Sequence, residues 1–98
     1  MEEIIINGST FKKIKIELPK TTLLIIANDK GFIMCGALNV AVYDSEKLKP
    51  RRVLCASVLG VKTFDEMMSS KLDKVSFAFE ELGAYPGMRV KDALYLLS

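Results

Sequence analysis

Two apolar runs set four residues apart constrain this chain more than any other feature of it. Residues 22–27 (TLLIIA) and 32–35 (FIMC) show no polar alternation, and between them stands Asn28-Asp29-Lys30-Gly31. Apolar runs this short, bounded by turn residues, read as strands rather than helices. Asn28 and Asp29 are turn formers, since both side chains tolerate the conformations a tight turn needs. Strands that are apolar on both sides must be covered on both faces. In 98 residues the chain's own helices can bury one face, so the other is expected to meet a partner subunit.

The flanking sequence fits around this hairpin. Residues 3–6 form a β-rich run, and Asn7-Gly8 is a strong hairpin signal because a type I′ turn needs positive φ at both central positions. Ile14, Ile16 and Leu18 then alternate with Lys13, Lys15 and Glu17, the period of a strand with one wet face, until Pro19 ends it. The spacing of Leu38, Ala41, Val42 and Leu48 predicts an amphipathic helix from Ala37 to Leu48, although Val40-Ala41-Val42-Tyr43 also suits a strand. Lys49-Pro50 stops it, and residues 53–59 make the next strand. Strand, crossover and strand of this length form the minimum parallel βαβ unit, which is right-handed almost without exception.

Thr63-Phe64-Asp65-Glu66 is a capping box opening a short helix. A second helix is expected from about Lys74, with Val75, Ala78, Phe79 and Leu82 on one side and Gly83 as its stop. After Pro86-Gly87 a last helix presents Val90, Ala93, Leu94 and Leu97. The expected fold is α+β, with N-terminal antiparallel β hairpins, a βαβ unit in the middle and C-terminal helices packed on one face of the sheet. One domain spans 1–98, divided into a β-rich oligomerisation region (1–35) and an α/β and helical part (36–98).

Composition narrows the function by exclusion. Fourteen basic against twelve acidic residues leave a net charge of +2, which favours neither nucleic acid nor an acidic membrane surface. The cluster Lys47, Lys49, Arg51 and Arg52 lacks interleaved aromatics and reads as a solvated helix end. The N-terminal residues lack the basic and apolar regions of a secretory signal, and the longest apolar runs fall far short of a membrane span, so a cytoplasmic location is expected. Cys35 and Cys55 make no disulfide framework and are expected to be free thiols. The absence of histidine removes the commonest general base, the usual triads and most zinc sites; no metal or cofactor motif is visible.

If the strands ending at Cys35 and at Leu59 are parallel, the turns after them share one edge of the sheet, where ligands of open α/β sheets gather. Both turns are expected to open helices, whose N-terminal amides attract anions. Gly36 would let a ligand approach the backbone, Lys62 would supply charge and Thr63 a hydroxyl, and Ala37 beside Gly36 completes the expected ligand-binding set. A small anionic ligand would suit such an edge. Cys35, placed just before a helix N-terminus, is the candidate catalytic thiol; against this stands the tendency of free cysteine to behave as a small buried hydrophobe, the reading taken for Cys55. Asp29 lies about 15–20 Å away at the far end of the same strand and cannot serve Cys35 as a base within one subunit.

Four stretches, ELPKT (17–21), ANDKGFIMCGALNV (27–40), GVKTFDEMM (60–68) and GMRVKDAL (87–94), together resemble the YunC-like family, small bacterial and archaeal domains of unknown function. The resemblance runs over nearly the whole chain, and MCGAL is its most specific part, mapping Gly31, Cys35 and Gly36 onto the family core. Asn39 stands where that family would place an aspartate. The resemblance implies tetramer formation through the N-terminal β region and implies no catalytic role. Three functions are therefore carried forward: a homo-oligomeric domain binding a small anion near Cys35-Gly36 and Lys62-Thr63, a cysteine-dependent enzyme or redox protein using Cys35, and a purely structural or partner-binding module.

Overall fold

A computed structural model describes residues 2–36 and 39–98. Six strands form one mixed sheet whose spatial order equals their order in the chain: β1 (Glu2–Ile6), β2 (Ser9–Leu18), β3 (Thr21–Ala27), β4 (Gly31–Cys35), β5 (Leu54–Val58) and β6 (Lys74–Val75). The first four are antiparallel meanders, β4 and β5 are parallel, and β6 returns antiparallel on β5. Three helices complete the fold: α1 (Phe64–Met68), α2 (Phe77–Leu82) and α3 (Val90–Leu97). This is the α+β architecture expected, with β1 to β4 occupying the β-rich N-terminal region.

The first and third hairpins carry their turn chemistry in the sequence. Asn7 and Gly8 both have positive φ, 50° and 78°, which places the register Ile6 opposite Ser9. Asn28 organises the third turn: its Oδ1 accepts from the amides of Lys30 at 2.9 Å and Gly31 at 3.1 Å. Its Nδ2 reaches out of the turn to the Leu97 carbonyl at 2.8 Å and the Ser9 hydroxyl at 3.1 Å. One amide thus shapes the β3–β4 turn and satisfies an orphan carbonyl at the end of α3. Gly31 is required for a different reason. A Cβ there would sit 2.3 Å from the Leu54 carbonyl oxygen and 2.9 Å from Leu97 Cδ2, so β4 can approach β5 and α3 only without a side chain.

The main core lies on one face of the sheet. Phe11, Leu24, Ile26, Ile33, Cys35, Ala56 and Val58 are covered by Met67 of α1, Phe79 of α2 and Val90, Ala93, Leu94 and Leu97 of α3. Alternation along the strands sends Phe32, Met34 and Cys55 to the opposite face, where a smaller cluster forms with Val40, Tyr43 and Val53 of the crossover. Phe32 and Tyr43 meet edge to face with ring centroids 5.5 Å apart. The crossover covers the β4–β5 half of this second face. On the β1–β3 half, Ile5 is 71%, Ile16 43% and Leu18 46% exposed.

Two helical expectations need correction. Among the described residues no α-helix runs between 39 and 48; the crossover instead holds two short 3-10 segments, Val40–Asp44 and Lys49–Arg51. Asn39 Oδ1 accepts from Ala41 N and Pro50 stands at the start of the second segment, while Val40, Val42 and Tyr43 lose rotamer freedom in an α-helix. Ten residues interrupted at both ends cannot repay the cost of α-nucleation. The second expected helix starts at Phe77 rather than Lys74, because Lys74 and Val75 pair with Ser57 and Ala56 as β6. Ser76 then caps α2.

Candidate functional site

The loops that follow β4 and β5 leave the sheet on opposite faces. The chain after β4 packs Val40 and Tyr43 against Met34 and Cys55, whereas the chain after β5 packs Phe64 and Met67 into the main core. Divergent connections at the C-terminal ends of adjacent parallel strands open a crevice, the usual ligand position in α/β sheets. Here the crevice is split in two.

Lys62 and Thr63 line a groove of about 300 Å³ on the main-core side, together with Glu2, Lys13, Lys15, Leu24 and Phe64. Gly36 lines a different cleft, of about 270 Å³, on the crossover side, with Asn39, Ser57, Leu59, Asp73 and Lys74. Leu59 separates the halves; its Cδ2 lies only 2.6 Å from where a Cβ on Gly36 would stand. The expected single edge site uniting Gly36 with Lys62 and Thr63 is therefore two cavities. Ala37, the remaining residue of that set, lies outside the described residues.

The amides expected to attract an anion are already in use. Thr63 Oγ1 accepts from Glu66 N at 3.1 Å, and Glu66 Oε1 accepts from Lys62 N at 3.0 Å and faces the Thr63 hydroxyl at 3.4 Å. The capping box is formed as its sequence implies, and by forming it takes the Thr63 hydroxyl and the Lys62 amide away from any ligand. Of the lysine side chains that line the groove, two are ion-paired and Lys62 is not, among the described residues. Lys13 Nζ lies 3.2 Å from Glu2 and 5.5 Å from the Phe64 ring centre, and Lys15 lies 3.4 Å from Glu17. Three ammonium groups thus share the groove with one carboxylate, that of Glu2, above a floor of Leu24 and Phe64. Lys62 also lines a second groove with Lys20, Thr21 and Thr22.

Cys35 is placed in neither cavity. It is 4% exposed, its sulfur receives the Leu24 amide at 3.4 Å, and its thiol faces the Thr22 carbonyl at 3.8 Å. The next described helical segment, Val40–Asp44, is capped by Asn39 and not by the strand end. A catalytic role for Cys35 rested on exposure and on a helix N-terminus, and both supports are missing. Cys55 is buried in the smaller cluster, and burial pushes its thiol up to about 11, opposed by the Ser76 hydrogen bond and helped by the nearby Asp44 charge. Among the described residues no group of three or more Cys, Asp or Glu is placed to hold a metal ion.

Lys13 and Lys15 escape a reading of the sequence because a lysine alternating with isoleucine looks like the wet face of a strand. Their face is also the one that the β5–α1 loop folds over. Ser57 did leave a signal: it is the only polar residue in the run 53–59, and a lone hydroxyl in a buried strand needs a reason.

A family model described as "Domain of unknown function (DUF1805)" matches residues 34–97. The chain is similar to "Uncharacterized protein YunC" of Bacillus subtilis (strain 168), 43% identical over 91 residues that make up 93% of this chain and 89% of the relative. In structure it is similar to a crystal structure of a protein of unknown function from Thermoplasma acidophilum. That likeness has a TM-score of 0.88 at 30% identity and covers 99% of this chain and 90% of the other.

Proposed function

From the premise that the chain belongs to the DUF1805 family, we propose a self-assembling domain that holds a small anionic ligand in the groove between β2 and α1. The observation that carries the ligand is the convergence of Lys13, Lys15 and Lys62 on one concave site with an apolar floor. Small-molecule sites join apolar surface to a few placed polar groups; here the charged residues predominate, and Leu24 and Phe64 supply the apolar part. The groove keeps the Lys62 half of the edge expected from the sequence. It exchanges backbone amides for side-chain ammonium groups.

Self-assembly is supported by the other face of the same strands. Within one copy, Ile5, Ile16 and Leu18 point to solvent beside half-buried Ile14, Leu23 and Ile25. Exposed apolar side chains gathered on one sheet face support a contact surface. The two faces of β2 then divide the work, the lysine face for the ligand and the isoleucine face for a second copy.

Calorimetric titration with orthophosphate, pyrophosphate and citrate tests the groove. Saturable binding is expected that weakens with rising ionic strength and falls about tenfold or more in a Lys15→Met, Lys62→Met double variant, as the loss of charged hydrogen bonds implies. Absence of saturation at millimolar ligand, or equal affinity in the variant, would overturn the assignment.

A further inference from the structure

The cleft on the crossover side holds an arrangement that the lysine groove does not share. Three segments meet there: the connection after β4 at Gly36 and Asn39, the end of β5 at Ser57 and Leu59, and the start of β6 at Asp73 and Lys74. Ser57 is only 3% exposed yet lines the cleft. Its carbonyl accepts from Asp73 N at 2.7 Å, and its Cα partner across the β5–β6 pair is Lys74. Directly opposed strand residues project on the same face, so Lys74 flanks the hydroxyl while the turn that starts at Asp73 is tied to the same residue.

Asp73 and Lys74 carry opposite charges, line one cleft, and form an ion pair neither with each other nor with any other described residue. Adjacent charges held apart suit a ligand that carries both signs and bridges them. Asn39 adds to this. Its Oδ1 is engaged by Ala41 N at 3.0 Å, which leaves its Nδ2 donors for an acceptor on the ligand. Ser57 adds a further polar residue to the lining, and a serine hydroxyl can serve as donor or acceptor. At about 270 Å³ the cleft takes a small metabolite.

We infer that this cleft binds a small zwitterion of the α-amino-acid class, its ammonium on Asp73, its carboxylate on Lys74 and Asn39, and its body over Ser57 beside the Gly36 backbone. The bound carboxylate and ammonium each replace a hydration shell by a charge-assisted hydrogen bond. Ligands with only one charge would leave Asp73 or Lys74 unmatched. The site is independent of the lysine groove, sharing no lining residue with it.

Calorimetry and amide chemical-shift mapping on the full chain test the inference, using glycine, L-alanine, L-serine and L-aspartate against the singly charged controls propionate and propylamine. Saturable binding of at least one zwitterion is expected, at least tenfold tighter than either control, with shifts centred on Ser57, Asp73 and Lys74. Asp73→Asn and Lys74→Gln keep shape and remove one charge each, and each is expected to weaken that binding about tenfold or more. Circular dichroism melts of both variants check that the fold is intact. Failure of every zwitterion to saturate, binding unchanged in both variants, or shifts confined to Lys13, Lys15 and Lys62 would each overturn the inference; the last would assign the ligand to the groove instead.

Discussion

At the scale of single residues, Asn28 does more than its neighbours. A turn asparagine can often be exchanged for aspartate because both accept the amides two and three residues on. Here the exchange removes the Nδ2 donor from the Leu97 carbonyl and the Ser9 hydroxyl and sets a carboxylate against the negative end of α3. Asn28→Asp is therefore expected to cost about 2 kcal/mol, the penalty of unpaired buried acceptors, and part of the loss should return on acidification as the carboxyl regains a proton. Urea titrations at neutral and acid pH check both statements; stability equal to the parent would show that the α3 contact contributes nothing. Cys55 makes a second prediction. Its folded-state thiol titrates near 11 against an ordinary 9.0, so above pH 9 the unfolded chain loses a proton that the folded chain keeps. Stability should fall as pH rises through that window, by roughly 2 kcal/mol at pH 11 relative to neutral pH. The difference in slope between the parent and Cys55→Ala isolates this thiol from the lysines and tyrosines that titrate nearby.

At the scale of elements, what the sequence disclosed depended on how local its physics was. The hairpins at Asn7-Gly8 and Asn28 to Gly31 and the capping box at Thr63 involve residues no more than four apart, and all three stand as read. The parallel pairing of β4 and β5 was legible from two apolar strands joined by a crossover. The crossover itself was not, since its 3-10 geometry depends on packing Val40 and Tyr43 over Met34 and Phe32. Two-residue β6 was hidden because Lys74-Val75-Ser76 also continues the apolar spacing of α2. The same locality limits the site: Lys13 and Lys62 meet only because the loop after β5 folds back over the sheet towards β2, three strands away. Ser76 shows how much such a junction can carry. Fully buried, it accepts from Cys55 N at 3.2 Å and Phe79 N at 3.4 Å, and donates to the Val53 carbonyl at 2.7 Å. Ser76→Ala should remove the α2 cap and leave the Cys55 amide of β5 and the Val53 carbonyl just before it unpaired, costing about 2–4 kcal/mol. Hydrogen exchange is expected to quicken first at Phe79 and Cys55; uniform quickening over the whole sheet would instead point to a global effect with no local junction.

At the scale of the whole molecule, β2 sets two chemistries back to back, and the assembly question turns on this. Lys13, Lys15 and Glu17 share the face of Phe11 and Leu24, while Ile14, Ile16 and Leu18 share the opposite face with Ile25 across the β2–β3 register. The chain's helices cover the first face and its crossover reaches only the β4–β5 half of the second. Burying an isoleucine side chain contributes about 1.5–3 kcal/mol, so leaving several in water is costly unless another copy covers them. Self-association through this strip would bring the same residues together from both subunits, as in a two-fold interface. Ile16→Glu should then dissociate the assembly, because like carboxylates would face each other in a desolvated strip. Lys15→Gln, one residue away on the other face, should leave the mass unchanged and weaken only the anion. Light scattering after size exclusion reads both, with circular dichroism to show that the Ile16→Glu subunit remains folded. A parent that is monomeric at micromolar concentration would overturn self-association, and an assembly that survives Ile16→Glu and yields to Lys15→Gln would place the contact elsewhere.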